Sequence, residues 1–200
     1  MSKFEIVEND SICVKGIVLY RIRALIDFGD VCAGELGGYI QKKENLSQVD
    51  NAWISDDAQV SGNAQVYGNA LVYGNALVSG NAQVYGDALV YGNALVYGDA
   101  WVYGDARVYG NARIANKHCI VWFSNVGTEF GTLTVYCGKT ELLATRGCFY
   151  GTLDEFCAKS SKNHNKQIKN EYSLLAEMAR LRLAGEQNKI YESEYEPSQN

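Results

Sequence analysis

The chain has 200 residues, a net charge of −5 at pH 7 and 47% hydrophobic residues, with 20 Gly and 14 Tyr against a single Pro. This length accommodates one or two domains with a hydrophobic core, and the negative charge disfavours non-specific nucleic-acid binding, which depends on Lys and Arg neutralising phosphates. No apolar segment reaches membrane-spanning length and the first residues lack a hydrophobic signal region, so the sequence predicts no membrane association and a cytoplasmic location.

Residues 1–50 are predicted to form a small β-rich cap. Residues 4–7, 12–14 and 17–25 are rich in β-forming side chains, with a turn at Gly16. Arg21 and Arg23 alternate along the third strand and therefore share a face. They either form a solvated sheet surface or present two guanidinium groups to a phosphate or carboxylate. Residues 34–40 are predicted to be a glycine-rich bend without the spacing of a phosphate-binding loop.

Residues 51–118 carry a hexapeptide repeat with the unit A-x-V-Y/S-G-N/D. The Ala and Val lie two residues apart on a strand and point to one side, while Gly and Asn or Asp turn the chain. Three units form a coil of 18 residues, so eleven units form a little under four coils of a parallel β-helix. The branched aliphatic residues that mark the units are Ile54, Val60, Val66, Val72, Val78, Val84, Val90, Val96, Val102, Val108 and Ile114.

These hexads resemble the left-handed β-helix family, in which an aliphatic residue is followed four residues later by a small one, as in Val66 with Ala70. The resemblance implies the left-handed sense, which the period alone does not fix. The predicted fold class is therefore mainly β: a left-handed parallel β-helix with a small β-rich N-terminal cap and a C-terminal α+β segment.

The outward positions of the coils predict an interface. Residues 18 apart stack, which places Leu71, Leu77, Leu89 and Leu95 in columns on two outer faces. We expect a homo-oligomer through these faces, with a trimer preferred, or else packing of the terminal segments against them. The stacked Tyr columns either stabilise the coils or present a surface on which an aromatic ligand stacks.

Residues 119–185 are predicted to form an α+β region. Apolar runs at 119–123, 132–137, 141–144 and 148–150 predict strands. Thr152 and Glu155 form a capping box that opens a short helix to about residue 159, followed by a loop or an extension of that helix. A second helix is predicted from Ile168, with Gly185 as its C-cap, and residues 186–200 are predicted to be a disordered acidic tail.

Several non-repeat segments carry a second resemblance. The strings LYRIRAL at 19–25, GGYI at 37–40 and GCFYGTLDEF at 147–156 are similar to those of a family of phage and prophage hexapeptide-repeat proteins. The similarity covers nearly the whole chain to about residue 184. It implies a phage-related protein of the host cytosol, and the family comes with no assigned reaction.

The residues with reactive side chains favour binding over catalysis. The six Cys lack the clustered spacing of a metal site, so no metal or cofactor is predicted. Many left-handed β-helix proteins are acyltransferases, which need a His base near a loop that leaves the coils. His118 is the candidate base in this sequence. The hexads run unbroken, however, and leave no such loop to build a substrate pocket. The alternatives are a structural or assembly protein and the hypothesis that we favour, a non-catalytic phage-type protein.

In the favoured hypothesis the protein is an oligomeric sponge that sequesters a nucleotide-like host immune signal and so counters host defence. Such a site needs Arg for phosphate and an aromatic side chain for the base. The candidate binding residues are Arg21, Arg23, Trp101, Arg107, Tyr109, Arg113, His118, Trp122, Arg146 and Phe149.

Overall fold

The N-terminal unit is a β-hairpin that leads directly into the coils. The computed structural model describes residues 2–195. The first two strands pair antiparallel around a turn at Lys15 and Gly16, and the strands predicted at 4–7 and 12–14 are a single strand with an irregularity in the pairing between Val7 and Ser11. The second strand also pairs antiparallel with the third. The three strands are β1 (Phe4–Val14), β2 (Ile17–Ala24) and β3 (Leu36–Ile40).

Strand β3 belongs to the first coil of the solenoid, so the bend predicted over residues 34–40 is wrong for most of its length. Tyr39 of β3 pairs in parallel with Gln59 on the next coil. The two glycines of β3 permit close packing rather than a turn: a Cβ on Gly37 would lie 2.6 Å from side-chain atoms of Ile22 and Trp53. The coils therefore begin with Leu36, before the predicted start of the repeat at residue 51.

The coils build three parallel sheets of short strands, and the solenoid has about four turns. From Trp53 onward each strand pairs with the strand 18 residues later, as the hexad period predicts; Leu71, for example, pairs with Leu89. The strands are β4 (Trp53–Ile54), β5 (Gln59–Val60), β6 (Gln65–Val66), β7 (Leu71–Val72), β8 (Leu77–Val78), β9 (Gln83–Val84), β10 (Leu89–Val90), β11 (Leu95–Asp99), β12 (Trp101–Val102), β13 (Arg107–Val108) and β14 (Arg113–Asn116).

The solenoid core is made of the Ala and Val of each hexad, which are fully buried from Ala58 to Val108. The corners require glycine, as at Gly80, where φ is +71° and a Cβ would lie 2.8 Å from the backbone nitrogen of Gly98. These observations confirm the predicted parallel coils with their inward and outward positions. The left-handed sense stays a prediction from the family resemblance.

The outer faces carry stacked ladders. The rings of Tyr67 and Tyr85 are parallel with centroids 4.8 Å apart, and the other Tyr columns stack in the same way. In the leucine columns, Leu71 is exposed, whereas Leu77, Leu89 and Leu95 are half-buried. The leucine columns therefore form an outer surface that is partly shielded by the stacking of one coil on the next.

The C-terminal unit is an antiparallel four-stranded sheet followed by two helices. The predicted capping box is confirmed: Glu155 N–H donates to Thr152 Oγ1 at 3.1 Å and Thr152 N–H donates to the Glu155 carboxylate at 2.8 Å. The elements are β15 (Ile120–Val126), β16 (Gly131–Cys137), β17 (Leu142–Arg146), β18 (Phe149–Thr152), α1 (Leu153–Asn163) and α2 (Lys166–Tyr195).

The predicted end of α2 at Gly185 is wrong, because the helix continues to Tyr195. Leu183, Gln187 and Ile190 are all buried on the packed face of the helix, so tertiary contacts outweigh the low helix propensity of glycine. Residues 186–195 of the predicted disordered tail are therefore helical, and residues 196–200 lie outside the described residues.

Side chains of the C-terminal sheet close the far end of the solenoid. In β13 the Arg107 N–H donates to Thr134 Oγ1 at 3.1 Å, and Thr145 donates to the Arg107 carbonyl at 2.7 Å. The Tyr136 hydroxyl accepts from the Tyr109 N–H at 3.0 Å and donates to the Tyr109 carbonyl at 3.1 Å. The backbone groups that a further coil would pair are thus hydrogen-bonded by hydroxyl groups.

The opposite end of the solenoid is closed by buried polar side chains. The Asn45 amide donates to the carbonyls of Ala64 and Gly62, at 2.8 and 3.2 Å. The Lys3 ammonium is buried and donates to the carbonyls of Asp50 and Ala52, at 2.9 and 2.8 Å. Both ends of the solenoid are thereby closed by groups of the chain itself.

Candidate functional site

The two N-terminal arginines hold the hairpin to the first coil. The Arg21 guanidinium lies 4.2 Å from the centre of the Tyr39 ring and donates to the Gly37 carbonyl at 3.0 Å and to Asp10 at 3.3 Å. Arg23 is paired with Glu5. Both guanidinium groups are thus bound by groups of the chain itself, and neither residue lines the repeat-end groove or the clefts of the C-terminal unit.

The first concave surface, the repeat-end groove, lies between the last coils and α2 and has a volume of about 390 Å³. It brings together three of the predicted residues, Trp101, His118 and Trp122. The Trp122 ring meets the Tyr103 ring edge to face at 4.4 Å, and Lys117 Nζ lies 5.6 Å from the centre of the Trp101 ring. The lining residues are Trp101, Tyr103, Lys117, His118, Ile120, Val121, Trp122 and Arg182.

His118 lies in the repeat-end groove. Its backbone N–H donates to the Asn116 side chain at 2.7 Å, and the described residues show no hydrogen bond to its imidazole. The acyltransferase alternative stays a prediction.

Arg107, Tyr109 and Arg113 lie on the last strands of the solenoid but do not converge. Arg107 and Arg146 line another cleft, which has a volume of about 370 Å³. The Tyr109 ring stacks on Tyr91 at 4.4 Å, at the end of its ladder. Arg113 donates to the neighbouring Ala112 carbonyl at 3.1 Å.

A further concave surface is the α1 cleft, a cavity of about 310 Å³ between the C-terminal sheet and the two helices. The turn between β17 and β18 supplies Arg146 and Phe149, two further predicted residues. Helix α1 supplies one side and the start of α2 closes the cleft. The lining residues are Thr128, Glu129, Arg146, Gly147, Cys148, Phe149, Phe156, Lys159, Ser160, Asn163, His164 and Tyr172.

Aromatic rings form the wall of the α1 cleft. Phe156 contacts Phe149 at 5.4 Å and Tyr172 at 5.0 Å between ring centres, and His164 lies 5.5 Å from Tyr172. The Lys159 ammonium lies 5.3 Å from the centre of the Phe149 ring. The cleft thus combines an aromatic wall, whose rings are inclined to one another by 60–77°, with cationic groups at its edge.

Two residues of the α1 cleft have buried polar atoms without a partner. Arg146 donates through Nη2 to the Val126 carbonyl at 2.8 Å, but its Nε makes no hydrogen bond. The Ser160 hydroxyl is likewise unpaired, and among the described residues Trp53 Nε1 is the one other buried side-chain atom of this kind. Unpaired buried polar groups cost stability in a native protein, and they mark places where a water or a ligand supplies the missing partner.

Sequence reasoning missed most of the α1 cleft. Lys159, Ser160 and His164 lie where the sequence predicts the end of a short helix and a polar loop, and Tyr172 is predicted only as part of an apolar helix face. The capping box was the available signal, because a helix extended to Asn163 places Phe156, Lys159 and Ser160 on one side.

Among the described residues, no group of three or more His, Cys, Asp or Glu side chains has the arrangement of a metal site. No helix within residues 2–195 is long and apolar enough to cross a membrane.

The fold defines the chain as a parallel β-solenoid protein with a C-terminal α+β unit that carries the α1 cleft. In the comparison with protein families, the model described as YdcK Beta solenoid repeat matches the chain at residues 58–71, 64–80, 72–86, 82–94 and 90–104. These matches lie within the coils and cover less than half of the chain. No curated protein matches the chain. The resemblance to phage hexapeptide-repeat proteins stays a prediction.

Proposed function

We propose that this β-solenoid protein is a non-catalytic binding protein that holds a small anionic molecule with an aromatic ring in the α1 cleft. The observation that carries the proposal is the arrangement of Arg146 and Lys159 beside the wall formed by Phe149, Phe156 and Tyr172. The solenoid serves as a rigid support, because the Ala and Val of its hexads are buried in the core and its corner glycines pack against the next coil.

The size and chemistry of the α1 cleft support this proposal. Ligand pockets have volumes of about 300–1,000 Å³ and combine apolar walls with a few polar groups, and a cavity of about 310 Å³ falls at the small end of this range. The charges of the Arg146 guanidinium and the Lys159 ammonium would attract phosphate oxygens. The Phe149 ring would stack on a base.

The resemblance to phage proteins extends the proposal to a biological role. A phage-encoded protein that binds a nucleotide-like signal without changing it would lower the free concentration of that signal in the host cytosol. The binding protein would then act as a sponge against a nucleotide-based defence. The repeat-end groove, with its Trp and basic side chains, is the second position where such a molecule would bind.

The test measures binding of AMP, ADP-ribose and a cyclic dinucleotide by calorimetry. The bound probe is then released and its chemical identity is analysed. Arg146→Gln removes the charge and is expected to weaken binding of the best probe by about 10- to 100-fold, since a hydrogen bond to a charged group contributes roughly 1.5–3 kcal/mol. Arg182→Gln, in the repeat-end groove, is the matched control and should bind as the wild type does.

Three results would contradict the proposal. Equal affinity in wild type and Arg146→Gln would remove the α1 cleft as the site. Loss of affinity in Arg182→Gln alone would move the site to the repeat-end groove. Release of a chemically altered probe would indicate an enzyme instead of a sponge.

A structural or assembly role is the second candidate, and the leucine columns favour it. Leu71 and Leu89 pair across neighbouring coils of one sheet, and Leu71 is 37% exposed. A trimer formed through these faces would bury them. Light scattering should then show a trimer for the wild type and a smaller species for the double variant Leu71→Asp, Leu89→Asp; a monomeric wild type would contradict this role for the columns.

A further inference from the structure

Two buried cysteines meet where the solenoid joins the C-terminal sheet. Cys119 directly precedes β15 and Cys137 ends β16, and the Cys137 N–H donates to the Cys119 carbonyl at 2.9 Å. Both side chains are fully buried, and each thiol shifts the pKa of the other. The two residues continue the antiparallel register in which Ile120 faces Tyr136, and residues directly opposite each other have Cα atoms about 4.5–5.5 Å apart, within the range that a disulfide spans.

We propose that Cys119 and Cys137 form a redox-active dithiol that a small peroxide closes into an intrachain disulfide. The Cys119 sulfur attacks one peroxide oxygen, the O–O bond breaks, and a sulfenic acid and one water form. The Cys137 sulfur then attacks Cys119 Sγ, the S–O bond breaks, and a second water carries away the hydroxyl and the thiol proton. Two thiols and one hydrogen peroxide thus give one disulfide and two waters, with two electrons passing from sulfur to oxygen.

The electrostatics of the pair assign the two roles. The neighbouring Cys137 thiol lowers the pKa of the Cys119 thiol to about 7, against the opposing effect of burial. The Cys119 thiol, together with burial, raises the pKa of Cys137. Cys119 is therefore the thiolate that attacks the peroxide, because the thiolate is the nucleophilic form, and Cys137 is the resolving thiol.

Helix α2 controls access to the pair. The Gln187 side chain both donates to and accepts from the backbone of Gly138, next to Cys137, each at 3.1 Å. Asn116, on the other side of the pair, donates to Glu186 at 2.9 Å. Because both thiols are buried, the end of α2 must open before peroxide reaches them. A small oxidant such as hydrogen peroxide suits this limited access better than a bulky disulfide.

The test starts from the fully reduced full-length protein, treated with hydrogen peroxide for increasing times and then denatured with an alkylating reagent. Peptide mass mapping should show a linked pair of peptides containing Cys119 and Cys137, lighter by two hydrogens than the reduced pair. Cys119→Ser and Cys137→Ser should lack this link, whereas Cys13→Ser, which alters an exposed cysteine of β1, should retain it. Gln187→Ala should form the link several-fold faster than the wild type.

The oxidised wild type should also melt at a higher temperature than the reduced protein. A disulfide across a loop of this length restricts the unfolded chain, and a rise of roughly 5–10 °C is expected. Alkylation of both Cys119 and Cys137 after oxidation of the exposed cysteines would overturn the proposal, and this result can be read in the wild type even if a Ser variant fails to fold. A lower melting temperature in the linked protein would overturn it as well, since the link would then distort the fold.

Discussion

Tyr136→Phe tests whether hydroxyl groups of the C-terminal sheet close the solenoid. The Tyr136 ring is fully buried and its hydroxyl makes two hydrogen bonds with the backbone of Tyr109. Burial raises the pKa of Tyr136, so the hydroxyl stays neutral and can both donate and accept. The substitution removes one oxygen and leaves a backbone N–H and a carbonyl without partners. Each unpaired group costs about 1–3 kcal/mol, and we expect a total loss of about 2–6 kcal/mol.

The measurement is urea unfolding followed by circular dichroism, with the free energy of unfolding extrapolated to water. Tyr85→Phe is the matched control, because Tyr85 stacks in a ladder and its hydroxyl makes no hydrogen bond among the described residues. The control should change stability by less than about 0.5 kcal/mol. If the two variants lose equal stability, the hydroxyl of Tyr136 does not close the end of the solenoid.

Three further predictions concern stability. Gly80→Ala should destabilise the protein by at least about 1 kcal/mol, because φ is positive there and the next coil is close. Gly185→Ala should stabilise the protein by about 0.5–1 kcal/mol, because Gly185 lies within α2 with open space around it. Thermal melts of both variants check these values. Thr152→Ala should cost about 1 kcal/mol in the same assay through loss of the helix cap. Burial alone would raise the pKa of Asp50, but hydrogen bonds from backbone and side-chain donors, with the charge of Lys3, outweigh it and lower the pKa. The stability that Asp50 provides is therefore present above its ordinary pKa of about 3.9 and lost as pH falls through its lower value in the folded protein, so unfolding measurements from pH 5 to pH 2 should show a loss that is absent in Asp50→Asn.

The solenoid could be predicted in detail because its structure is local and periodic. The inward Ala and Val follow from a strand period of two, and the pairing of Leu71 with Leu89 follows from three hexads to a coil. The first coil could not be placed in the same way, because Tyr39 pairs with Gln59, 20 residues later, and this register interrupts the period. Its glycines serve contacts between distant residues, which no local pattern reveals.

The clefts were only partly predictable for a related reason. The residue types that bind phosphates and aromatic rings pointed to Arg146 and Phe149, and the structure places both in the α1 cleft. The same reasoning selected Arg21, whose guanidinium is held by the first coil. Whether an arginine faces a ligand or a carbonyl is decided by tertiary packing. The Gly185 prediction was wrong for the same cause, since the buried face of α2 extends beyond that residue.

The closed ends of the solenoid have a consequence for how this architecture can change in length. Tyr136 and Asn45 bond to backbone groups, which every coil presents in the same positions regardless of its side chains. The two caps therefore set no particular number of turns between them. A duplication or deletion of 18 residues within the repeat would preserve both caps and shift the C-terminal unit by roughly 4.8 Å along the axis. The number of coils therefore sets the spacing between the N-terminal hairpin and the α1 cleft, and this spacing changes in steps of one coil.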